Sequence, residues 1–140
     1  MSRTILVPHD GSSHAQAALT YTLETFPNAR VVLFHAIDPY ESPSEEDQFL
    51  SLTEEWFHEK QAEANDLFEE ARDGVNEGDA TIEAATAVGS PPHAIVAALE
   101  DTDIDQIVMG NRGRGVAQAR LGSTAELVLR RADVPVTVVR

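Results

Sequence analysis

The sequence has no cysteine, which excludes a disulfide framework and any thiolate metal site. Lysine is almost missing: of the ten basic residues only Lys60 is a lysine, and the rest are arginines. Against 24 Asp and Glu this leaves a formal net charge of −14. Such a field repels nucleic acid and anionic membranes, so no nucleic-acid partner is expected. Long apolar runs are missing too. The first, Ile5 to Val7, is cut by Pro8 and then by charge, too short for a signal core or a membrane span. The expectation is a cytoplasmic protein without membrane insertion. Acidity alone does not remove lysine, so the two features together point to a halophile, whose carboxylates keep it soluble while salt screens their repulsion.

What is present suffices for one domain over residues 1–140, since 42% of the chain is hydrophobic and can bury a core without staples. Apolar runs alternate with helical patterns from end to end. Thr4 to Val7 is a strand-like run. Ser13-His14-Ala15-Gln16 has the form of a capping box with Ser13 as N-cap, and Ala15, Ala18, Leu19, Thr22 and Phe26 then share a helical face up to Pro27. Val31 to Ile37 is apolar except at His35, as a strand buried on both faces should be. Asp38 to Leu52 reads as a loop. Trp56, Lys60, Ala64, Leu67, Ala71 and Val75 mark a second helix, and Thr81 to Val88 alternates like a strand. Ser90-Pro91 opens a third helix. Ile104 to Met109, Ser123 to Ala132 and Val136 to Val139 complete a βαβαβαβαβ order. Such alternation predicts a mostly parallel sheet with helices on both faces. The stretch from Asp38 to Asp79 carries 15 of the 24 carboxylates and reads as a solvated loop and helix face.

In sheets of this kind ligands bind beyond the carboxyl ends of the strands. The richest such end is Met109-Gly110-Asn111-Arg112-Gly113-Arg114-Gly115, followed by Gly122-Ser123-Thr124. Its glycines permit close backbone approach and positive φ. Ser123 to Glu126 has capping-box form, so a helix starts there and offers unpaired N–H groups and partial positive charge to a phosphate. Half of all basic residues lie between Arg112 and Arg131, which favours an anion site in an otherwise acidic chain. Neither a Walker loop nor a dinucleotide fingerprint is present.

The other strand end is Pro8-His9-Asp10-Gly11-Ser12. Asp10 has two readings that the residues alone leave open: contact with a bound Mg²⁺ or a ribose or base edge, or acceptance of backbone N–H groups in its own turn. The five histidines form no metal set. His58-Glu59 lacks the second histidine of a zinc-protease helix, since Ala62 stands in its place. His35 reads as structural, whereas His9 and His93 flank strand ends. With no nucleophile elbow and no cysteine, no catalytic residue is assigned.

Taken together, the chain resembles the universal stress protein family over its whole length. The carrying residues are Ile5 to Ser12, Leu33 to Ala36, Val88-Gly89-Ser90-Pro91, Gly110-x-x-Gly113 leading to Gly122-Ser123, and Pro135 to Val139. The resemblance, taken with the halophilic composition, suggests a haloarchaeal, nucleotide-binding member. It implies a three-layer α/β/α, Rossmann-like fold of the adenine nucleotide α-hydrolase type, with a doubly wound parallel five-stranded sheet in order 3-2-1-4-5. It implies ATP or AMP at the crevice between strands 1 and 4, with Mg²⁺ or Mn²⁺. Pro8, His9, Asp10 and Ala36 would then surround adenine and ribose. Met109, Gly110, Arg112 and Gly113 would pass under ribose and phosphates, and Gly122, Ser123 and Thr124 would hold the phosphates. The last strand, Val136 to Val139, would pair across a two-fold axis in a homodimer. Eight residues separate Gly113 from Gly122 where the family pattern has nine, a shortening that would draw in the loop or re-aim Arg114.

Three functions compete on these residues: a nucleotide-dependent stress-response regulator with a further protein partner, a dimeric interaction module without nucleotide, and a slow ATPase. Asp10 and Gly122-Ser123 favour the first over the second. The lack of an evident general base or nucleophile disfavours the third.

Overall fold

The computed structural model describes residues 3–39, 53–111 and 121–140. Its elements in chain order are β1 (Thr4–Pro8), α1 (Ser13–Thr25), β2 (Arg30–Ile37), α2 (Glu54–Asp73), β3 (Thr81–Val88), α3 (Pro91–Asp101), β4 (Gln106–Gly110), α4 (Ser123–Arg131) and β5 (Val136–Val139). All strand pairs are parallel, in the order β3-β2-β1-β4-β5. The expected doubly wound α/β sheet and its order are therefore present.

Side-chain alternation makes the two cores. On one face Ile5, Val7, Val31, Leu33 and Val108 pack against Ala18 and Leu19 of α1 and Ala64, Phe68 and Ala71 of α2. On the other, Leu6, Val32, Phe34, Ile107 and Met109 meet Ala94 and Ile95 of α3 and Ala125 and Val128 of α4. Strands β1, β2 and β4 are apolar at successive positions because both their faces are covered. β3 is an edge, and of its alternating set only Ile82 is buried.

Three local expectations change. The N-cap of α1 is Ser12, not Ser13: its hydroxyl accepts from the Ala15 N–H at 3.1 Å. Gly11, at φ +86°, turns the chain so that Ser12 is the buried one. β4 begins at Gln106 rather than Ile104. The Ile104 N–H bonds the Thr102 carbonyl in a turn, and the Asp105 N–H reaches Thr4. In α2 Phe68 is buried along with the expected Trp56, whereas its neighbour Leu67, also expected on that face, is only partly buried.

Candidate functional site

The sheet order reverses at β1, whose neighbours are β2 and β4. The connections that leave the carboxyl ends of β1 and β4 run in opposite directions, to β2 and to β5, and open a crevice between them. A pocket of about 290 Å³ occupies that crevice, at the small end of the range for ligand sites. Its walls are the ends of β1, β2 and β4 and the starts of α1, α3 and α4. Of the residues expected around a ligand, Pro8, His9, Asp10, Ala36, Met109, Gly110, Gly122, Ser123 and Thr124 all line it. Arg112 and Gly113, with Arg114 and Arg120, lie outside the described residues.

The start of α4 differs in detail from its sequence pattern. Its N-cap is Gly122, at φ −67° and ψ 156°, and no side chain caps the helix. Ser123 is thus the first helical residue. Glu126 does not reach back to the cap; its carboxylate accepts from Arg130 at 2.9 Å, one turn on. The first turn's N–H groups are therefore taken by no capping side chain, and the carboxylate is drawn away from them. The Gly122 N–H bonds the Asn111 carbonyl, and the Asn111 N–H bonds the Val139 carbonyl, both at 2.8 Å. These bonds tie the helix start to the ends of β4 and β5.

Opposite stands the turn after β1. The Asp10 carboxylate accepts from the Ser12 N–H at 2.9 Å, so one oxygen satisfies the turn while the residue also faces the pocket. His9 is 5% exposed. Its Nδ1 accepts from the Gly11 N–H at 3.0 Å and its Nε2 meets Gln16 Oε1 at 2.9 Å. A backbone N–H only donates, so the ring proton belongs on Nε2. Burial pushes the His9 pKa below its ordinary 6.5, against smaller upward pulls from Gln16 and Asp10 and a further small lowering from His35. His35 is satisfied, as expected: its Nδ1–H donates to the His9 carbonyl at 2.8 Å and its ring stands edge-on to Phe68. Gln16 is no capping-box partner; its amide nitrogen donates to the Ala71 carbonyl of α2 at 3.0 Å.

The sequence model of the universal stress protein family matches residues 1–140. The chain belongs to that family. A universal stress protein from the QAH/OAS sulfhydrylase 3′ region of Thermus aquaticus is 35% identical over 146 residues, covering all of both chains. One from Methanocaldococcus jannaschii is 29% identical over 155 residues, covering all of this chain and 96% of the other. Among solved structures, the universal stress protein UspA of Lactobacillus plantarum superposes with a TM-score of 0.78 at 26% identity, covering 99% of this chain and 97% of that one. More distant universal stress proteins share the fold and were solved in complex with cAMP (23% identity, TM-score 0.68), with AMP (Arabidopsis thaliana, 19%, 0.69) and with dAMP (Archaeoglobus fulgidus, 20%, 0.62).

Within this universal stress protein, the pocket also includes residues outside the set expected around the ligand. Asn111 was signalled only by its place just after β4. Pro91 and Ile95, four apart, present one face of α3 to the pocket. Gly110, expected to approach a ligand at positive φ, is not among the glycines with positive φ. The approach its missing side chain permits is to the backbone of His14 in α1.

Proposed function

We propose that this universal stress protein binds an adenine nucleotide, ATP or AMP, and acts in the stress response through its nucleotide-bound state rather than by turnover. The observation that carries the reading is the pairing of an uncapped helix start, Gly122 to Thr124, with Asp10 across one pocket whose wall includes Ala36, Ile95 and Met109. An apolar wall suits a base, a carboxylate a ribose, and a helix start a phosphate. In this arrangement Pro8, His9, Asp10 and Ala36 surround adenine and ribose. Met109 and Gly110 run beneath ribose and phosphates, and Gly122, Ser123 and Thr124 take the phosphates; Arg112 and Gly113, assigned to the same run from sequence, lie outside the described residues. The relatives solved with AMP, dAMP and cAMP support an adenine nucleotide as the ligand class.

Among the described residues no group of three acidic or histidine side chains is placed to hold a metal. A Mg²⁺ or Mn²⁺ ion would therefore enter with the nucleotide, held by phosphate oxygens and Asp10. The functional unit is a homodimer through β5, with a further protein partner reading its state. The acidic, lysine-poor composition supports a protein of high-salt cytoplasm, whose melting temperature should rise with added KCl.

Mass spectrometry of ligand released from freshly purified protein, with calorimetric titration of ATP and AMP in high salt, tests this. An adenine nucleotide is expected, and Gly113→Val should lose affinity for it while keeping the fold. Protein that releases no nucleotide and takes none up would instead be a dimeric interaction module.

A further inference from the structure

We propose that Gln16 is a positioning residue of this site, setting the turn at Asp10 and Gly11 through the ring of His9; the inference rests on the reading of the pocket as a nucleotide site. Each hydrogen bond in the connection has only one possible sense. The Gly11 N–H donates to His9 Nδ1 at 3.0 Å, which leaves the ring proton on Nε2. That proton is donated to Gln16 Oε1 at 2.9 Å. The other half of the same amide donates to the Ala71 carbonyl at 3.0 Å, and a carbonyl can only accept. A flipped amide would therefore lose both partners.

The packing holds the amide there. A Cβ on Gly74 would stand 2.7 Å from Gln16 Nε2, so the end of α2 lies close over the amide and any larger residue there would have to displace it. His9 is fixed at its backbone as well: its N–H donates to the Phe34 carbonyl at 2.7 Å and its carbonyl accepts from His35 at 2.8 Å. The ring is left with one tautomer and one orientation, and its Nδ1 holds Gly11 beside the pocket-lining Asp10. Donors and acceptors run in one direction from Gly11 to Ala71, an arrangement in which each bond polarises the next.

Without the Gln16 acceptor, the His9 Nε2–H is buried unpaired, and the tautomer protonated at Nδ1 gains population. That tautomer sets an N–H against the Gly11 N–H and releases the turn. Gln16→Leu should therefore weaken AMP binding about tenfold with the fold intact. Gln16→Glu keeps an acceptor for His9 but loses the donor to Ala71, and should recover most of the affinity. Nitrogen-15 NMR of the imidazole reads the same step directly: wild type should show His9 unprotonated at Nδ1, and Gln16→Leu a mixture.

Gln16→Leu binding AMP as wild type does, or wild-type His9 carrying its proton on Nδ1, overturns the inference. So does Gln16→Glu binding as weakly as Gln16→Leu, which would route the effect through Ala71. If Gln16→Leu does not fold, Gln16→Glu and the wild-type tautomer decide. Failure of wild type to bind either AMP or ATP overturns the nucleotide reading instead, and the tautomer measurement still judges the link from Gln16 to the turn.

Discussion

Gly110, the last residue of β4, lies against the first turn of α1 so closely that a Cβ on it would stand 2.7 Å from both the carbonyl carbon and the carbonyl oxygen of His14. Backbone cannot yield as a flexible side chain can. The glycine therefore lets α1 pack on β4 at the floor of the pocket.

Gly110→Ala should accordingly destabilise the fold by about 1–3 kcal/mol, the usual cost of overpacking, and lower nucleotide affinity by moving α1. Urea denaturation measures the first and calorimetry the second. A wild-type denaturation midpoint would mean that α1 does not need this contact.

Much of this architecture was legible because its cause is local or periodic. Strands β1, β2 and β4 are buried on both faces and so leave apolar runs, and α1 carries its buried set at helical spacing. The sheet order has no such local signature. It depends on which side of β1 the third crossover takes, and it came with the family resemblance. Caps were misplaced by one residue where two candidates adjoin, Ser12 with Ser13 and Gly122 with Ser123. Backbone direction at Gly11 and Gly122 decides these, and no side-chain pattern reports it. Asp10, Gly122 and Ser123 were readable as strand-end and helix-start chemistry. The link from His9 through Gln16 to Ala71 was not, because its halves are 55 residues apart in sequence and no local motif spans that distance.

The corrected cap gives the second prediction. Ser12→Ala removes the acceptor of the Ala15 N–H and should cost about 0.5–2 kcal/mol, as lost N-caps do. Ser13→Ala alters an exposed first-turn residue and should be nearly neutral. Equal midpoints for the two variants in thermal or urea unfolding would return the cap to the pattern read from sequence.

Acid should weaken the protein through His9. Burial holds the folded-state pKa below 6.5, so the unfolded chain takes up the proton first as pH falls. Stability from this group is whole above about pH 6.5 and is lost as pH falls through the depressed folded value. The exposed Glu83, whose carboxyl is held below its ordinary 4.5 by the Arg30 hydrogen bond, acts in a lower window and does not mask the effect. Urea midpoints for wild type should decline from about pH 7 to pH 5, and His9→Gln should flatten that slope. An unchanged slope in the variant would assign the acid sensitivity to another group.

The last prediction concerns β5, which pairs with β4 on one side and has no partner strand among the described residues on the other. The Ile107 N–H donates to the Pro135 carbonyl at 2.9 Å and the Asn111 N–H to the Val139 carbonyl at 2.8 Å. Odd-numbered residues thus face β4. Alternation along a parallel strand turns the N–H and C=O groups of Val136 and Val138 to the open side. Val138→Pro removes one outward donor and no bond to β4, a substitution that edge strands tolerate. If β5 joins two copies edge to edge, this variant should sediment as a monomer in high salt with a wild-type circular dichroism spectrum. A folded Val138→Pro dimer of wild-type stability would place the subunit interface elsewhere, since pairing at this edge would lose that N–H from each copy and meet the proline ring in its place, and a one-residue shift of register would set the outward valines against the wrong face.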